Sequence, residues 1–383
     1  MKVAIVNPYL DALTGVVRLT FDVAQVLKKV FGYTEILTLG TVNPEVISKY
    51  HNANITLSVI DDVNLKRLSL LGKAIYIRKL KGILKKLDFD LIFFTDGYYL
   101  VRGFKHIPKI LYVYFPYSLS YHKSFKQEVE DIPFHIKVYR HVYRKMEDFL
   151  IYKDKDIKGI IVYSNFVKRV FEKYFDISPY VLMPPLNTEF FVPPTNLDQK
   201  FNKNVKLILC VTRFHPDKEH ELVVKTFKRY ILRKDVELAI AGYVSDHKYF
   251  EYIKSLSSVD PRIKLVPNPS DQELLKLYQE ATLFWYVHAE HCATTPLEAM
   301  ACATPVIMLN KAGLNEVVSQ GINGYLVDNL EELGKLTERL LDSPEELIRM
   351  GMNARKMMVE LYSYQAFENR LRNIIEAILK ARG

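Results

Sequence analysis

Strand-like and helix-like segments alternate along this chain, and the alternation runs twice, on either side of a proline-rich break. Lys2–Val6 is a short apolar run ending in Asn7-Pro8, followed by a loop containing Gly15 and a helical pattern over 16–30. Further strands are expected at 34–39, 91–95, 109–114 and 159–163, with helices at 66–87, 134–153 and 165–174. Short apolar strands separated by helices predict a parallel sheet, because parallel neighbours need a crossover and the crossover helices bury both faces. Residues 184–204 (PPLNTEFFVPPTNLDQKFNKN) hold two Pro-Pro pairs and a polar tail, the composition of a linker. The pattern then restarts, with strands at 205–212, 236–241, 263–266, 281–287 and 305–309. Helices are expected at 219–232, 246–256, 270–280 (Ser270 as N-cap) and 294–301, and they dominate after 330. The 383 residues suit two domains of ordinary size. The expected division is 1–185, a linker at 186–204, 205–360, and a C-terminal helix over 361–383 packing back on the N-terminal domain. Ligands of such sheets sit at the carboxyl ends of the strands, so the expected site is a cleft between the domains. No GxGxxG follows the first strand, which counts against a dinucleotide cofactor.

Three cysteines, Cys210, Cys292 and Cys302, with no metal-binding spacing, exclude a disulfide framework and point to a reducing compartment. No apolar run approaches the roughly 18 residues of a membrane span. The segment Met1–Gly15 begins like a strand and reaches Asp11 too early for a signal peptide, so the expected location is cytoplasmic. The net charge of +9 resides entirely in residues 1–190, since basic and acidic residues balance over 191–383. Within 66–86 stand Lys66, Arg67, Lys73, Arg78, Lys79, Lys81, Lys85 and Lys86 with no acid. Interleaved leucines and isoleucines make 66–87 a basic amphipathic helix. It suits an anionic membrane surface, or equally a solvated face beside a core. Nucleic acid is a third and disfavoured partner, because clustered cations alone read no sequence.

Two segments carry chemistry. In the stretch from Ala289 to Ile307, Glu290 precedes a loop and Glu298 lies in the helix that follows, amid Ala299, Ala301 and Ala303. Loop N–H groups and a helix N-terminus facing one space suit a diphosphate, and flanking carboxylates can accept from sugar or ribose hydroxyls. The structural alternative is a first-turn carboxylate beside a solvated loop acid. In Val211-Thr-Arg213-Phe-His-Pro-Asp-Lys218, two cations stand at a strand's carboxyl end, where they would stabilise a leaving diphosphate. Their structural alternative is a surface arginine and an i,i+3 pair between Lys218 and Glu221.

Taken together, these segments resemble the retaining nucleotide-sugar glycosyltransferases of GT-B fold, the glycosyl transferases group 1. Glu290 and Glu298 match that family's Glu-x7-Glu signature, and Arg213 to Lys218 its Arg-x4-Lys element. The stretch 262–281 and the segments beginning at Gly313 and Gly321 are similar to those flanking the signature. Tyr112-Val-Tyr-Phe-Pro116, Val162-Tyr-Ser-Asn-Phe166 and Met183-Pro-Pro-Leu-Asn187 are similar to dolichol-pathway members of that family, which also includes phosphatidylinositol-mannoside transferases. The resemblance implies an α/β GT-B fold of two Rossmann-like domains facing a central cleft. It also implies transfer of a hexose of mannose or glucose type from a GDP- or UDP-sugar, with retention, to a lipid-linked or glycan acceptor. In this reading Arg213 and Lys218 hold the diphosphate, Glu290 the sugar hydroxyls and Glu298 the ribose. His291, Cys292, Ala293, Thr294 and Thr295 line the donor, and Gly15 lets a loop approach it. Tyr114, His122 and Asn165 fall on the acceptor side; Asn165 is equally an N-cap, and His122 a solvated loop histidine. The family needs no cofactor and no metal, and a basic 66–87 would seat the enzyme peripherally on the cytosolic face. The alternatives are a non-catalytic nucleotide-sugar binder and a basic nucleic-acid-binding module.

The chain departs from the family in Cys292-Ala293, where an aromatic residue and a glycine are usual. It departs again in Thr14-Gly15, where the family carries paired glycines, and in Tyr114, where a histidine is frequent. Asp88-Phe-Asp90 and Asp154-Lys-Asp156 match Asp-x-Asp, but neither follows an apolar strand into a Gly-rich loop, so both are read as turn chemistry.

Overall fold

A computed structural model of the chain describes residues 1–10, 15–39, 42–44, 46, 48, 55–61, 88–116, 141–142, 145–288, 293–310 and 313–380. The expected basic helix at 66–87, and the first part of that expected at 134–153, lie outside the described residues. So do Glu290, His291, Cys292 and His122.

The chain divides into two compact units, Met1–Pro185 with Phe367–Gly383, and Leu186–Ala366. In the first, the strands are β1 (Lys2–Val6), β2 (Tyr33–Leu39), β3 (Thr56–Asp61), β4 (Leu91–Phe94), β5 (Lys109–Val113), β6 (Ile157–Val162) and β7 (Tyr180–Val181). They form one sheet in the order β3-β2-β1-β4-β5-β6-β7, every neighbouring pair parallel. Strands β4 and β5 are buried at every residue, as continuous apolar runs between two helical layers must be. The edge strand β3 is not legible as such a run: Thr56-Leu-Ser-Val-Ile-Asp61 is half-buried at best, and only its pairing with β2 defines it. Helix α1 (Gly15–Phe31) follows β1, and α2 (Asn165–Phe175) follows β6.

The second unit holds β8 (Lys206–Val211), β9 (Val236–Gly242), β10 (Ile263–Pro267), β11 (Leu283–Tyr286), β12 (Val306–Leu309) and β13 (Gly324–Val327). Their order is β10-β9-β8-β11-β12-β13, again all parallel. The helices are α3 (Leu197–Asn202), α4 (His220–Tyr230), α5 (His247–Ser257), α6 (Asp271–Glu280), α7 (Thr295–Ala301), α8 (Leu330–Leu341) and α9 (Pro344–Tyr362). Strands β8, β11 and β12 are buried throughout, and the fully buried Trp285 donates its indole N–H to Thr337 Oγ1 at 2.9 Å. Ser270 caps α6 in a full capping box with Glu273.

The last helix, α10 (Tyr364–Lys380), belongs to the first unit from Phe367 onward. It lies so close to β6 that a Cβ on Gly159 would stand 2.3 Å from Ile378 Cδ1. The stretch 186–204, expected as a linker, is part of the second unit: Asn196 caps α3, Phe201 is fully buried, and Lys200 reaches into the same core. Its prolines mark irregular backbone, and its polar residues are spent on caps and internal hydrogen bonds.

In both units the first strand has the second on one side and the fourth on the other. Strand order therefore reverses between β1 and β4 and again between β8 and β11, which opens a crevice beyond the strands' carboxyl ends.

Candidate functional site

In the second unit the segments that leave β8 and β11 are neighbours, because these two strands pair directly, Leu283 opposite Ile208. The turn after β8 is pinned by its apolar residue. Phe214 is fully buried, stacks on His220 (4.8 Å between centroids) and bonds the Tyr243 carbonyl through its N–H at 2.7 Å. With Phe214 held inward, Arg213 is left exposed, and its guanidinium meets Asp217 at 2.8 Å. His215 caps a short 3-10 turn, Pro216–Lys218, and lies 2.6 Å from Asp217. Burial alone would raise the Asp217 carboxyl. The hydrogen bond from Arg213, the charges of Lys218 and Arg213 and the bond to His215 together hold it below the usual carboxylate range. Lys218 is buried, its backbone bonded to the His215 carbonyl. Glu221 accepts the Tyr249 hydroxyl at 2.5 Å, and the same phenol oxygen accepts the His220 N–H at 2.8 Å.

His220 fixes this turn to the strand it left. Its Nε2 lies 2.8 Å from Thr212 Oγ1, while its Nδ1 is buried with no hydrogen-bond partner among the described residues. A bare nitrogen lone pair costs less to bury than an unpaired N–H, so the neutral ring with its proton on Nε2 is the tautomer that fits. Burial, with Lys218 close by, pulls the ring's pKa down to about 4 against the bonds that would raise it. A histidine neutral in the fold and free to protonate when unfolded contributes its full stability above pH 6.5. That contribution declines as pH falls from there toward about 4, at about 1.4 kcal/mol per unit and about 3 kcal/mol in total. Urea unfolding between pH 7.5 and 4.5 is expected to show this slope, and the His220→Asn protein a shallower one; equal slopes would show that His220 does not titrate on unfolding.

On the other side of the crevice, β11 runs into Val287 and the buried His288, and the chain is next described at Ala293. Thr294 occupies the N-cap of α7 with helical backbone angles and no side-chain capping bond, and Pro296 stands in the first turn. The hydroxyl of Thr295 is buried with no partner among the described residues. Glu298, 7% exposed, accepts the Tyr278 hydroxyl at 2.9 Å. The helix ends in a Schellman motif: Thr304 N–H bonds the Ala299 carbonyl, Ala303 N–H bonds that of Met300, and Ala303 adopts φ 55°. The fold thus brings Arg213, Lys218, Ala293, Thr294, Thr295 and Glu298 to one end of one sheet.

In the first unit, Gly15, Tyr114 and Asn165 follow β1, β5 and β6, all at the carboxyl end of that sheet. A Cβ on Gly15 would meet nothing within 4 Å among the described residues. Tyr114 is 37% exposed, its ring edge-on to Tyr163 at 5.2 Å. Asn165 is the first helical residue of α2 and not its cap. Ser164 is the cap, accepting the Val167 N–H at 3.3 Å.

Both Asp-x-Asp sequences are engaged within the fold. Asp154 and Asp156 hold the fully buried Lys109 at 3.2 and 3.4 Å, and Asp154 also accepts the Asp156 N–H. Asp88 and Asp90 bind the side chain and backbone of Lys2. Among the described residues no three His, Cys, Asp or Glu side chains cluster as metal ligands do, and no helix is long and apolar enough to cross a membrane.

The sequence reading missed His220, Tyr278 and Gly242. The last carried a signal, a glycine closing an apolar strand; the first two are ordinary members of helical patterns, and only packing gives them partners.

Residues 195–357 match the family model described as glycosyl transferases group 1, which bears out the resemblance read from the sequence. A probable sucrose-phosphate synthase from Thermosipho melanesiensis is 27% identical over 308 residues, covering 76% of this chain and 70% of that protein. The human alpha-1,3/1,6-mannosyltransferase ALG2 is 26% identical over 243 residues, covering 57% of this chain and 58% of that protein, so the match spans little more than half of that relative's length. Among solved structures, Anabaena Alr3699/HepE in complex with UDP and glucose superposes with a TM-score of 0.73 at 13% identity, covering 98% of this chain and 99% of that one. That likeness shows the fold: an α/β chain of GT-B type with two Rossmann-like parallel sheets, as the sequence predicts.

Proposed function

We propose that the chain is a metal-independent, retaining hexosyltransferase that takes a mannose- or glucose-type sugar from GDP or UDP to a lipid-linked or glycan acceptor. The observation that carries this reading is the convergence of the Arg213–Lys218 turn and the Glu298 helix on the crevice between β8 and β11. Two cations there would take up the charge that develops on a departing diphosphate. Arg213 already binds one carboxylate in this geometry and would exchange it for phosphate oxygens. Glu298 would accept from the ribose, and Glu290 would hold the sugar hydroxyls without acting as a nucleophile. The acceptor hydroxyl attacks the anomeric carbon on the face the diphosphate leaves. Its proton passes to the departing phosphate oxygen, so configuration is retained and no side-chain base is required. The UDP and glucose bound in the Anabaena structure support a nucleotide-sugar donor, and the chain's N-terminal charge excess with its basic 66–87 stretch supports an acceptor at an anionic surface on the cytosolic side.

The test is a thermal-shift panel of UDP, GDP and their glucose and mannose conjugates in EDTA. A ligand at a hundred times its Kd adds about 2.7 kcal/mol, a shift of several degrees. Selective stabilisation by one base is expected, followed by an α-linked product when that donor is supplied with an acceptor library. No shift with any of them would remove the donor site and with it this reading.

A further inference from the structure

The Tyr278 hydroxyl that bonds Glu298 belongs to a side chain that could not itself reach a ligand. Tyr278, on α6, is fully buried, its ring edge-on to Phe191 (5.8 Å) and tilted against Phe284 (6.1 Å), and its hydroxyl donates to Glu298 Oε2 at 2.9 Å. Burial first, and the Glu298 charge second, push this phenol well above the ordinary tyrosine range, so it is a donor at every working pH.

The backbones of the two residues are tied together as well. Lys200 Nζ donates to the Tyr278 carbonyl at 3.2 Å, to the Cys302 carbonyl at 2.9 Å and to Thr304 Oγ1 at 2.6 Å, and Thr304 in turn donates to the Tyr278 carbonyl. Arg355 donates to the Ala301 carbonyl at 3.2 Å. Lys200, whose pKa burial draws down to about 7, and the Arg355 guanidinium therefore both donate at the carbonyl end of α7, and Lys200 joins α7 to the residue that grips its glutamate. With both backbones fixed, the glutamate's own torsions remain, and a phenol that stays protonated and donates to one carboxylate oxygen restrains them.

We propose that Tyr278 is a positioning residue: its hydroxyl aims the Glu298 carboxylate so that it accepts from the ribose hydroxyls of the nucleotide donor. This rests on the ribose role given to Glu298 above. The consequence is specific. Tyr278 governs how well the protein tells a ribonucleotide from its deoxy counterpart, and has little influence on base or diphosphate.

Calorimetric titration of the full chain with UDP and GDP, and with the 2′-deoxy and 3′-deoxy forms of whichever binds more tightly, tests it. A hydrogen bond to a charged acceptor predicts a ribose preference of about 10- to 100-fold in the wild type. In Tyr278→Phe that preference is expected to fall at least fivefold while the deoxy nucleotide keeps its affinity, and Tyr278→Phe/Glu298→Gln should discriminate no worse than Glu298→Gln alone. Weakening of ribo and deoxy forms by the same factor, or an undiminished preference, overturns the proposal while leaving the donor reading standing. A wild type that binds neither nucleotide, or shows no ribose preference, removes the ribose role and this proposal together. If the phenylalanine variant does not fold, 3-fluorotyrosine at position 278 keeps the hydroxyl and reports by ¹⁹F NMR. Its resonance is expected to move on adding the ribonucleotide and to stay in place with the deoxy form; a resonance unmoved by either overturns the proposal.

Discussion

Replacing Lys218 by methionine is expected to lower kcat by about 10²- to 10³-fold while the protein stays folded. Electrostatic stabilisation of a leaving group is worth most where water is excluded, and loss of one such donor costs about that factor. Lys218 is 8% exposed, whereas the side chain of Arg213 is 52% exposed and shares its charge with Asp217. The buried cation should therefore dominate, with Arg213→Ala costing less and acting more on KM. Methionine keeps the apolar stem, so Tm is expected to stay within a few degrees. Steady-state transfer rates beside thermal melts decide the matter. An unchanged kcat would assign the diphosphate to other donors, and a collapse of Tm would assign Lys218 to the fold.

The other large effect is expected at a residue that has no side chain of its own. Gly242 closes β9 against the end of β8, and a Cβ built there would stand 1.9 Å from the Thr212 carbonyl oxygen, 2.6 Å from its carbon and 3.2 Å from the Arg213 nitrogen. All three are backbone atoms of the segment that leaves β8, so no side chain can swing aside. Gly242→Ala must push the Thr212–Arg213 backbone by an ångström or so, breaking the Thr212–Ala241 ladder bond (3.0 Å) or the Thr212–His220 bond. Overpacking of this kind costs about 1–3 kcal/mol, and a displacement of that size at a catalytic group costs about 10²-fold in rate. Gly15→Ala is the matched control for stability, since its Cβ meets nothing within 4 Å among the described residues. Chemical denaturation of both variants should show the difference, and a Gly242→Ala protein with wild-type stability and rate would mean that β8 gives way freely.

The sequence reading located most of the sheet strands because each is a short, largely apolar run, as a strand buried on both faces must be. It singled out Arg213, Lys218 and Glu298 through the family resemblance, and the strand order sets the segments that carry them at the carboxyl end of one sheet. It did not locate β3, whose half-exposed residues lack such a run and are defined by pairing with β2. It read 186–204 as a tether because proline and polar residues write irregular backbone in the same way whether that backbone is free or packed. The burial of Phe201 and the three oxygens around Lys200 are visible only after folding. It weighed a Lys218–Glu221 pair, but Glu221 accepts Tyr249, 28 residues away in sequence.

By itself, then, the sequence determined the architecture and the inventory of charged groups, because strand burial, helix period and residue chemistry are local properties of the chain. Only the tertiary structure decided which groups meet. The strand order that sets β8 beside β11, the carbonyl that makes Gly242 obligatory, the lone pair that keeps His220 neutral and the phenol on Glu298 are all contacts between segments distant in sequence. No local pattern encodes them, since each depends on where another segment comes to rest.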